Sequence, residues 1–437
     1  MERSGFPETL IIITTLMNIL LENFRCFAGK HSINVTPLTL LVGENSAGKS
    51  TFLAALSVIS DFSSYPGKPR FDMPPYNLGG FDTIVTHSNK GITFSLGFEV
   101  QTDTNTKNLR IIASYSADLG QATLCTFSIE SQYGCITLNY EKKNWRCQLS
   151  QFQELKGQNV QIDLDKKQVP LLKLQSIEML LAAILNSSPE KILLLELFQP
   201  IMQISRLIES VAFGGISVAP IRSKPKRTYD HLMTDYDPEG DHVPYAIART
   251  FQKDEQTRKK LNQFGKDSGL FNEISVKNLG DNLSDPFQLH VKMSDMSDEM
   301  AVNLTDVGYG VSQSLPIIVQ SVLREGSDFL LLQQPEVHLH PKAQAALGSF
   351  FVQQVTDNNK RFVIETHSDY LLDRIRTAVA AKLIKPQQVS IIFFDKPLLE
   401  TTIHHLSLDD NGNILDVPPS YRRFFFEEEM NLLMRGS

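Results

Sequence analysis

Short apolar runs, separated by polar or glycine-containing segments, recur along the 437-residue chain. The run LTLLV at 38–42 is short and uninterrupted, which predicts a buried strand. Apolar residues at 50–59 recur with helical spacing and predict a helix. The polar, glycine-containing residues between these segments are therefore predicted to form a loop at the end of a buried strand.

Two longer regions differ in their hydrophobic period. Residues 91–151 contain β-favouring segments separated by polar or glycine-containing turns, which predict an antiparallel meander. Residues 171–213 carry apolar residues every three or four positions and predict an inserted helical hairpin, broken near 186–189. The apolar stripe of this hairpin fits either a buried core or a partner contact, and both interpretations stay open.

The N-terminal segment 10–21, LIIITTLMNILL, is apolar but too short to cross a membrane, which takes about 20 residues. It also lacks the basic region and the small-residue cleavage site of a signal peptide. We predict a first strand from Met17, with residues 1–16 as an upstream extension or the product of an early start codon. No membrane partner is expected.

Composition narrows the class of protein. Hydrophobic residues make up 42% and charged residues 21% of the chain, as in soluble globular proteins. A net charge of −7 gives no general attraction to nucleic acid, so any DNA contact would be local. The four cysteines show no C-x-x-C pairing and no histidine spacing suited to zinc, and we expect reduced thiols in a cytoplasmic protein.

The loop at 43–51 reads GENSAGKST and satisfies the phosphate-loop (P-loop) pattern G-x-x-x-x-G-K-[ST] between a strand and a helix. Gly43 and Gly48 allow backbone N–H groups to turn inward around a phosphate. Lys49 is placed to reach the terminal phosphates, and Ser50 offers a hydroxyl to Mg²⁺. The predicted nucleotide-binding residues of the loop are Asn45, Ser46, Ala47, Gly48, Lys49, Ser50 and Thr51.

Three motifs follow in the C-terminal third of the chain. Residues 304–313, LTDVGYGVSQ, form a glycine-containing turn that enters an apolar helix. Residues 329–340, FLLLQQPEVHLH, and 362–368, FVIETHS, are apolar strands with polar ends. Strand ends beside a phosphate loop are where a parallel α/β sheet places its ligand chemistry. His367 is therefore a candidate active-site histidine, with a hydrogen-bonded core histidine as the alternative.

A basic cluster lies between these regions. Arg222, Lys224, Lys226 and Arg227 follow an apolar, strand-like run. A solvated face and an anion site are both compatible with this pattern.

Taken in order, the motifs resemble those of the ABC-type, SMC/RecF-like branch of AAA-family ATPases. This group includes the ATPase portion of OLD nucleases and the stand-alone ATPases of bacterial anti-phage systems such as Septu and PARIS. The resemblance covers nearly the whole chain and is carried by ENFRCF, GENSAGKST, LGGFDTIV, the APIR segment, DVGYGVSQSLP, QPEVHLHP and ETHSDYLL.

The resemblance implies ATP as the nucleotide, Mg²⁺ as its metal, and a site shared between two subunits. DVGYGVSQ stands at the position of the ABC signature, which contacts the γ-phosphate of ATP on the opposite subunit; its residues here are Gly308, Gly310, Ser312 and Gln313. Residues 338–340 would cross the dimer seam, and His367 would be the switch histidine that senses the γ-phosphate. A head-to-head dimer or a higher oligomer is expected.

One position departs from the family pattern. The Walker B strand of the family usually ends in an acidic residue, whereas this chain has Gln333, Gln334, Pro335 and Glu336. An amide cannot supply the charge that holds Mg²⁺, nor take a proton from the attacking water. The predicted catalytic residues are Gln333, Gln334, Glu336 and His367, with Ser50 and Gln333 at the metal. We expect ATP binding with slow hydrolysis, and Gln333→Glu is expected to raise turnover.

The predicted fold class is α/β: an ABC/SMC-like P-loop NTPase head with an antiparallel β subdomain and an inserted helical segment. The predicted domains are residues 1–90 and 218–437 for the ATPase core, 91–151 for the β subdomain and 152–217 for the helical insertion. About seventy residues follow His367, with strands near 391–394 and 403–408 and a helix at 421–434. They leave no room for the Toprim nuclease domain of OLD proteins.

We therefore expect a cytoplasmic ATPase of an anti-phage system that acts as a sensor or scaffold and controls a separate effector protein. The alternative is a RecF/SMC-like DNA-maintenance ATPase that clamps DNA between paired heads. A non-hydrolysing nucleotide-binding protein is a third reading, which the two glutamines support.

Overall fold

The computed structural model describes residues 16–60, 71–72, 74–86, 93–102, 107–141, 144–164, 196–211, 214–230, 235–251, 254–282, 285–293, 301–323, 329–396 and 400–421. The strands in chain order are β1 (Leu16–Phe24), β2 (Phe27–Val35), β3 (Leu38–Gly43), β4 (Phe94–Thr102), β5 (Lys107–Asp118), β6 (Gln121–Ser131), β7 (Gly134–Glu141), β8 (Asn144–Ser150), β9 (Val160–Leu164), β10 (Gly215–Val218), β11 (Glu273–Asn278), β12 (Phe287–Lys292), β13 (Val302–Asn303), β14 (Phe329–Gln333), β15 (Arg361–Glu365), β16 (Val389–Asp395) and β17 (Thr402–Leu406). The helices are α1 (Lys49–Ser60), α2 (Phe81–Ile84), α3 (Phe198–Val211), α4 (Val243–Phe251), α5 (Glu255–Ser268), α6 (Tyr309–Leu323), α7 (Pro341–Asn358) and α8 (Asp369–Ala380).

A six-stranded sheet carries the P-loop strand β3 among its inner strands. Its order is β10-β14-β15-β3-β16-β17. The first five strands pair in parallel, and β17 pairs antiparallel with β16. The carboxyl ends of β14, β15 and β3 therefore meet at one edge of the sheet, as the three strand-ending motifs predicted.

An eight-stranded antiparallel sheet forms the second layer, in the order β2-β1-β4-β5-β6-β7-β8-β9. It is larger than the meander predicted over residues 91–151. Strands β1 and β2 precede the P-loop but join this sheet because β1 pairs with β4, from Leu16 opposite Gln101 to Glu22 opposite Ser95. Strand β9 extends the other end of the sheet into the region predicted as helical, where its buried and exposed residues alternate as in a strand with one face packed.

The two faces of the six-stranded sheet belong to separate hydrophobic cores. Leu41, Leu331 and Val363 pack with α1 and with inward residues of the antiparallel sheet. Leu40, Leu332 and Ile364 belong to the second core, which α6, α7 and α8 cover. Both faces of the parallel strands are buried, which explains their uninterrupted apolar sequences.

The remaining predictions on secondary structure are either confirmed or lie largely outside the described ranges. The α/β class is confirmed, and the strands expected near 391–394 and 403–408 are β16 and β17. The hairpin predicted at 171–213 falls largely on residues outside the described ranges, and α3 forms its final part. The N-terminal extension and the helix predicted at 421–434 also lie outside the described ranges, except for Leu16, which begins β1, and residue 421.

No helix in the described ranges has the length and apolarity needed to cross a membrane.

Candidate functional site

The P-loop leaves β3 through a backbone that only glycine adopts readily. Gly43 has φ +135°, and a Cβ at this position would collide with the carbonyl oxygen of Phe394 on the neighbouring strand β16. Gly48 has φ +111°, and a Cβ there would crowd Cys26 Sγ at 2.9 Å and Thr401 Oγ1 at 3.1 Å. The loop therefore packs against Phe394 of β16 at Gly43 and against Cys26 and Thr401 at Gly48. Only glycine fits at these two positions because the neighbouring atoms approach so closely.

Lys49 begins α1 and lies across the loop. Its Nζ donates to the carbonyl oxygens of Gly43 at 3.0 Å and of Glu44 at 2.7 Å. Burial lowers the pKa of Lys49, while the carboxylates of Glu365 and Glu44 oppose that shift. The ammonium group is thus held over the loop by two neutral carbonyl acceptors.

Thr401 holds the loop from outside. The hydroxyl of Thr401 donates to the carbonyl oxygen of Ala47 at 2.8 Å, and the Thr401 N–H donates to the carbonyl oxygen of Cys26 at 3.0 Å. Ala47 is itself buried. The segment before β17 therefore fixes both the loop and the β1–β2 turn.

Glu365 is the site residue that the sequence reasoning missed. It ends β15, where it lies opposite Leu41 of β3 and Gln333 of β14. Its Oε2 accepts a hydrogen bond of 2.7 Å from the hydroxyl of Ser50, the residue predicted to bind Mg²⁺. Burial raises the pKa of Glu365, and the Ser50 hydroxyl and the Lys49 charge oppose that shift. The available signal was an acidic residue at the end of the apolar strand FVIETHS, where the sequence prediction named only His367.

Gln333 and Gln334 end the Walker B strand in different environments. Gln333 is buried and faces the same side of the sheet as Glu365. The hydroxyl of Tyr76 lies beside Ser217 and Gln333; burial raises the pKa of Tyr76 far above its usual value, and the charge of Glu365 adds to that shift. Gln334 adopts a left-handed conformation, φ +41°, and its N–H donates to the carbonyl oxygen of Glu365 at 2.8 Å.

Glu336 supports the predicted switch histidine through the main chain. Its Oε1 accepts a hydrogen bond of 2.7 Å from the N–H of His367. Burial raises the pKa of Glu336, and the hydrogen bond from His367 is the main opposing contribution. Burial also lowers the pKa of His367, and the positive charge of Lys49 lowers it further. The imidazole thus lies within electrostatic reach of the P-loop lysine and is kept neutral near pH 7.

Arg222, from the basic cluster, is buried at the end of the sheet. Its Nη2 donates to the carbonyl oxygens of Gln333 at 3.2 Å and Gln334 at 3.4 Å. Nε and Nη1 of Arg222 and Oε2 of Glu336 are buried without a hydrogen-bond partner in the described part of the chain. Burial lowers the pKa of Arg222 to about 10, and Glu336 opposes that shift. Of the two readings of this cluster, a solvated face is therefore wrong for Arg222.

The predicted signature residues divide between surface and interior. Gly308 and Tyr309 are exposed, and the Tyr309 ring meets the His338 ring edge-on at 5.7 Å. A Cβ on Gly310 would approach the His338 carbonyl oxygen at 3.2 Å. The remaining two signature residues, Ser312 and Gln313, are buried.

Both buried side chains form hydrogen bonds within the chain. Ser312 Oγ donates to the Tyr309 carbonyl oxygen at 3.0 Å, and Gln313 Nε2 donates to the Arg222 carbonyl oxygen at 3.3 Å. In this conformation only Gly308 and Gly310 border the surface that a second subunit could meet. Within the segment predicted to cross the seam, Leu339 is buried and His340 accepts the Lys342 N–H at the start of α7.

The residues around the P-loop fit a nucleotide with its metal ion. The described residues contain no group of three histidine, cysteine or acidic side chains that could bind a metal by itself. Mg²⁺ in nucleotide sites does not need such a group, because it is usually held by phosphate oxygens, waters and one or two protein oxygens. The Ser50 hydroxyl and the Glu365 carboxylate are protein oxygens of this kind.

Three solved structures of SMC heads are similar in fold to this chain. The first is an SMC head bound to the C-terminal winged-helix domain of ScpA (11% identity, TM-score 0.46, covering 91% of this chain and 98% of that chain). The second is an SMC head with an extended coiled coil bound to the C-terminal domain of ScpA, from Pyrococcus furiosus (10%, 0.44, 96% and 98%). The third is the SMC head domain from Thermotoga maritima (12%, 0.39, 90% and 99%). No curated protein matches the sequence.

A family model matches most of the chain directly. It covers residues 15–193 and 220–372 and is described as the AAA ATPase domain. The matched segments contain the P-loop, the Walker B strand, the signature segment and His367. The chain belongs to the AAA ATPase domain family.

Proposed function

We propose that this protein binds Mg²⁺-ATP at residues 43–51, hydrolyses it slowly, and uses the bound nucleotide to join two copies of itself. The observation that carries the proposal is the contact between the P-loop helix and the end of β15. Ser50 Oγ, next to Lys49, donates to Glu365 Oε2 at 2.7 Å, two residues before His367, and the Thr366 N–H donates to the carbonyl oxygen of Leu41 in β3. The P-loop lysine and the histidine at the end of β15 therefore lie at one edge of the sheet, an arrangement that suits the terminal phosphate of a nucleotide.

The roles of the residues follow from their contacts. The P-loop N–H groups and Lys49 bind the β- and γ-phosphates, and Ser50 presents its hydroxyl to the metal. Mg²⁺ bound there would be held by the Ser50 hydroxyl and phosphate oxygens, and it would neutralise phosphate charge. His367, held at its main chain by Glu336, is placed to hydrogen-bond the γ-phosphate. Gln333 stands where the acidic residue is expected, and its amide cannot accept a proton from the attacking water, so hydrolysis is slow.

Pairing of two copies is supported by the exposed signature. Gly308 has no neighbouring atom within 4 Å of the position of a Cβ, and Tyr309 beside it is exposed. The start of α6 therefore lies at an exposed surface, where its backbone N–H groups would meet the γ-phosphate of ATP on another copy. In this arrangement ATP contributes directly to the dimer interface.

The wider role that we propose is that of a cytoplasmic sensor or scaffold in an anti-phage system, whose ATP-bound dimer holds or releases a separate effector. The resemblance of its ordered motifs to stand-alone anti-phage ATPases supports this role. The four free cysteines agree with a reducing compartment. The alternative, a DNA clamp of RecF/SMC type, requires a basic surface and a salt-dependent affinity, and the net charge of −7 argues against it.

The test compares wild type with Lys49→Ala in a fluorescent ATP titration and in light scattering with and without ATP. We expect Lys49→Ala to weaken ATP binding by about 100-fold or more and to remove ATP-dependent dimerisation. Lys30→Ala is the matched control, because its side chain is exposed and pairs with Glu22 on the neighbouring strand. Unchanged ATP binding by Lys49→Ala would refute the nucleotide site.

The wider role needs two further measurements. Co-purification with the products of neighbouring genes, with and without ATP, tests the effector. Salt-dependent DNA binding by the ATP-bound dimer, with no effector retained, would favour the clamp instead.

A further inference from the structure

Gln333 and Glu365 end adjacent parallel strands directly opposite each other. They form the last pair in the register between β14 and β15, and both are buried. Neighbouring strands lie about 4.8 Å apart, so the two side chains leave the same face of the sheet side by side. Gln333 has an amide where the Walker B carboxylate is expected. Glu365, on the strand next to the P-loop strand β3, has a carboxylate.

Glu365 is the one directly connected to the P-loop. Its Oε2 accepts the Ser50 hydroxyl at 2.7 Å, and its charge interacts with Lys49. No ion pair to Glu365 within 4.0 Å occurs in the described ranges, although its exposed fraction is only 5%. A buried carboxylate in this position is costly unless a cation compensates it.

Gln333 faces a different set of neighbours. The hydroxyls of Tyr76 and of Ser217 on β10 lie beside it, and both are buried without a hydrogen-bond partner in the described part of the chain. A neutral amide can donate and accept hydrogen bonds among these neutral groups. A carboxylate at 333 would instead face Glu365 across one strand spacing, and two like charges so close do not both ionise easily.

We propose that Glu365 supplies the negative charge that holds the Mg²⁺ of bound ATP, so that the acidic position of the site has moved one strand, from β14 to β15. Gln333 keeps a neutral side chain beside the buried hydroxyls of Tyr76 and Ser217. The inference rests on the proposed function, since it concerns the metal of the same nucleotide. It also revises the expectation that Gln333→Glu raises turnover: with Glu365 present, the repulsion between two neighbouring carboxylates offsets the gain in metal binding.

The experiment measures cation binding separately from ATP hydrolysis. Mn²⁺ replaces Mg²⁺, and its binding in the presence of a non-hydrolysable ATP analogue is followed by electron paramagnetic resonance. ATP-analogue binding without metal is measured in parallel by fluorescence. The variants are Glu365→Gln, Glu365→Asp, Gln333→Glu and the exchanged pair Gln333→Glu with Glu365→Gln.

Four results are expected. Glu365→Gln weakens Mn²⁺ binding by about tenfold or more, while metal-free analogue binding changes by less than about twofold. Glu365→Asp, which keeps the charge, retains most of the Mn²⁺ affinity. Gln333→Glu alone does not strengthen Mn²⁺ binding. The exchanged pair recovers Mn²⁺ affinity over Glu365→Gln, because a carboxylate again lies at this edge.

The control is Asp395→Asn, which removes a carboxylate from the end of β16 on the other side of β3. It is expected to leave Mn²⁺ affinity within about twofold, as a change of distant charge should. Unchanged Mn²⁺ affinity in Glu365→Gln overturns the inference, and so does an equally large loss of metal-free analogue binding in that variant, which would indicate damage to the P-loop instead of loss of a metal contact. If wild type does not bind the analogue at all, the proposed function fails instead, and the two failures are distinguishable.

Discussion

The guanidinium group of Arg222 donates to the main-chain carbonyl oxygen of Gln333 across 3.2 Å. The contact ties the segment after β10 to the end of the Walker B strand. On its other side, the carbonyl oxygen of Arg222 accepts the side-chain amide of Gln313 from α6. A single buried residue therefore connects the strand end at the nucleotide site with the helix that carries the signature.

Arg222→Met should destabilise the fold strongly. The variant leaves the carbonyl oxygens of Gln333 and Gln334 without their buried donor and removes the positive charge facing Glu336. Breaking a buried charged contact of this kind costs about 3 to 5 kcal/mol. Urea unfolding followed by circular dichroism measures the loss.

Arg227→Met is the matched control in the same segment. Arg227 forms a two-fold hydrogen-bonded ion pair with Asp306, but both side chains are largely exposed. Exposed ion pairs contribute about 1 kcal/mol or less. Equal destabilisation by the two variants would show that the burial of Arg222 has no energetic consequence.

Gly43→Ala should damage both stability and nucleotide binding. The residue has φ +135°, and the new methyl group would meet the Phe394 carbonyl oxygen, so β3 and β16 must separate at the P-loop. Backbone strain alone costs about 1 to 3 kcal/mol, and the collision adds to it. Thermal unfolding and the ATP titration measure the two effects.

Gly29→Ala separates strain from collision in that experiment. Gly29 also has positive φ, +71°, but a Cβ there has nothing within 4 Å. We expect a loss of about 1 kcal/mol with unchanged ATP affinity. A Gly43→Ala variant that behaves like Gly29→Ala would mean that the contact with β16 is not needed.

His367 should titrate below its ordinary pKa of about 6.5 in the absence of nucleotide. Burial and the Lys49 charge both disfavour the imidazolium form. Since the folded-state pKa lies below the unfolded one, the stability contributed by this group is present above pH ~6.5 and is lost as the pH falls through the folded pKa. Nuclear magnetic resonance of labelled histidine, assigned with His367→Gln, measures the titration.

Two perturbations test the direction in which nearby charges shift the pKa of His367. Lys49→Met removes the positive charge and should raise the pKa of His367, while a bound ATP analogue should raise it in wild type by adding phosphate charge. A pKa of His367 that responds to neither would contradict its position beside the γ-phosphate.

Gly308→Glu should block ATP-dependent pairing without altering the single chain. Gly308 is exposed and has no neighbour within 4 Å of a new Cβ, so folding should be unaffected. The added carboxylate would repel the γ-phosphate of ATP on the other copy. Light scattering with ATP measures the dimer, and Gly308→Ala is the control that should still form it. A Gly308→Glu variant that dimerises normally would exclude this surface from the interface.

Much of the site could be predicted because its residues lie in short, contiguous motifs. The strand before Gly43 and the helix after Lys49 follow from local hydrophobic spacing, and so do the apolar strands before Gln333 and Glu365. Glu365 was missed because its importance depends on strand order. Only the insertion of β15 between β14 and β3 brings its carboxylate to Ser50, and periodicity does not report which strands are neighbours.

The sequence also does not predict which way each side chain points or which strands pair. The sequence predicts that Gly308, Gly310, Ser312 and Gln313 contact the nucleotide together, yet the helix that begins at Tyr309 buries Ser312 and Gln313 within the chain. Likewise, β1 and β2 stand next to the P-loop in sequence but pair with β4 of the other sheet. Both outcomes depend on contacts with residues far away in the sequence.

The position of β3 also has a consequence for the order of synthesis. Both of its sheet neighbours, β15 and β16, and the Thr401 hydroxyl that holds Ala47, come more than 300 residues later in the chain. At typical elongation rates, the ribosome takes about 20 to 70 s to cover that distance. During this interval the nascent chain carries an apolar P-loop strand without a sheet, and ATP can stabilise the fold only after translation has passed Thr401.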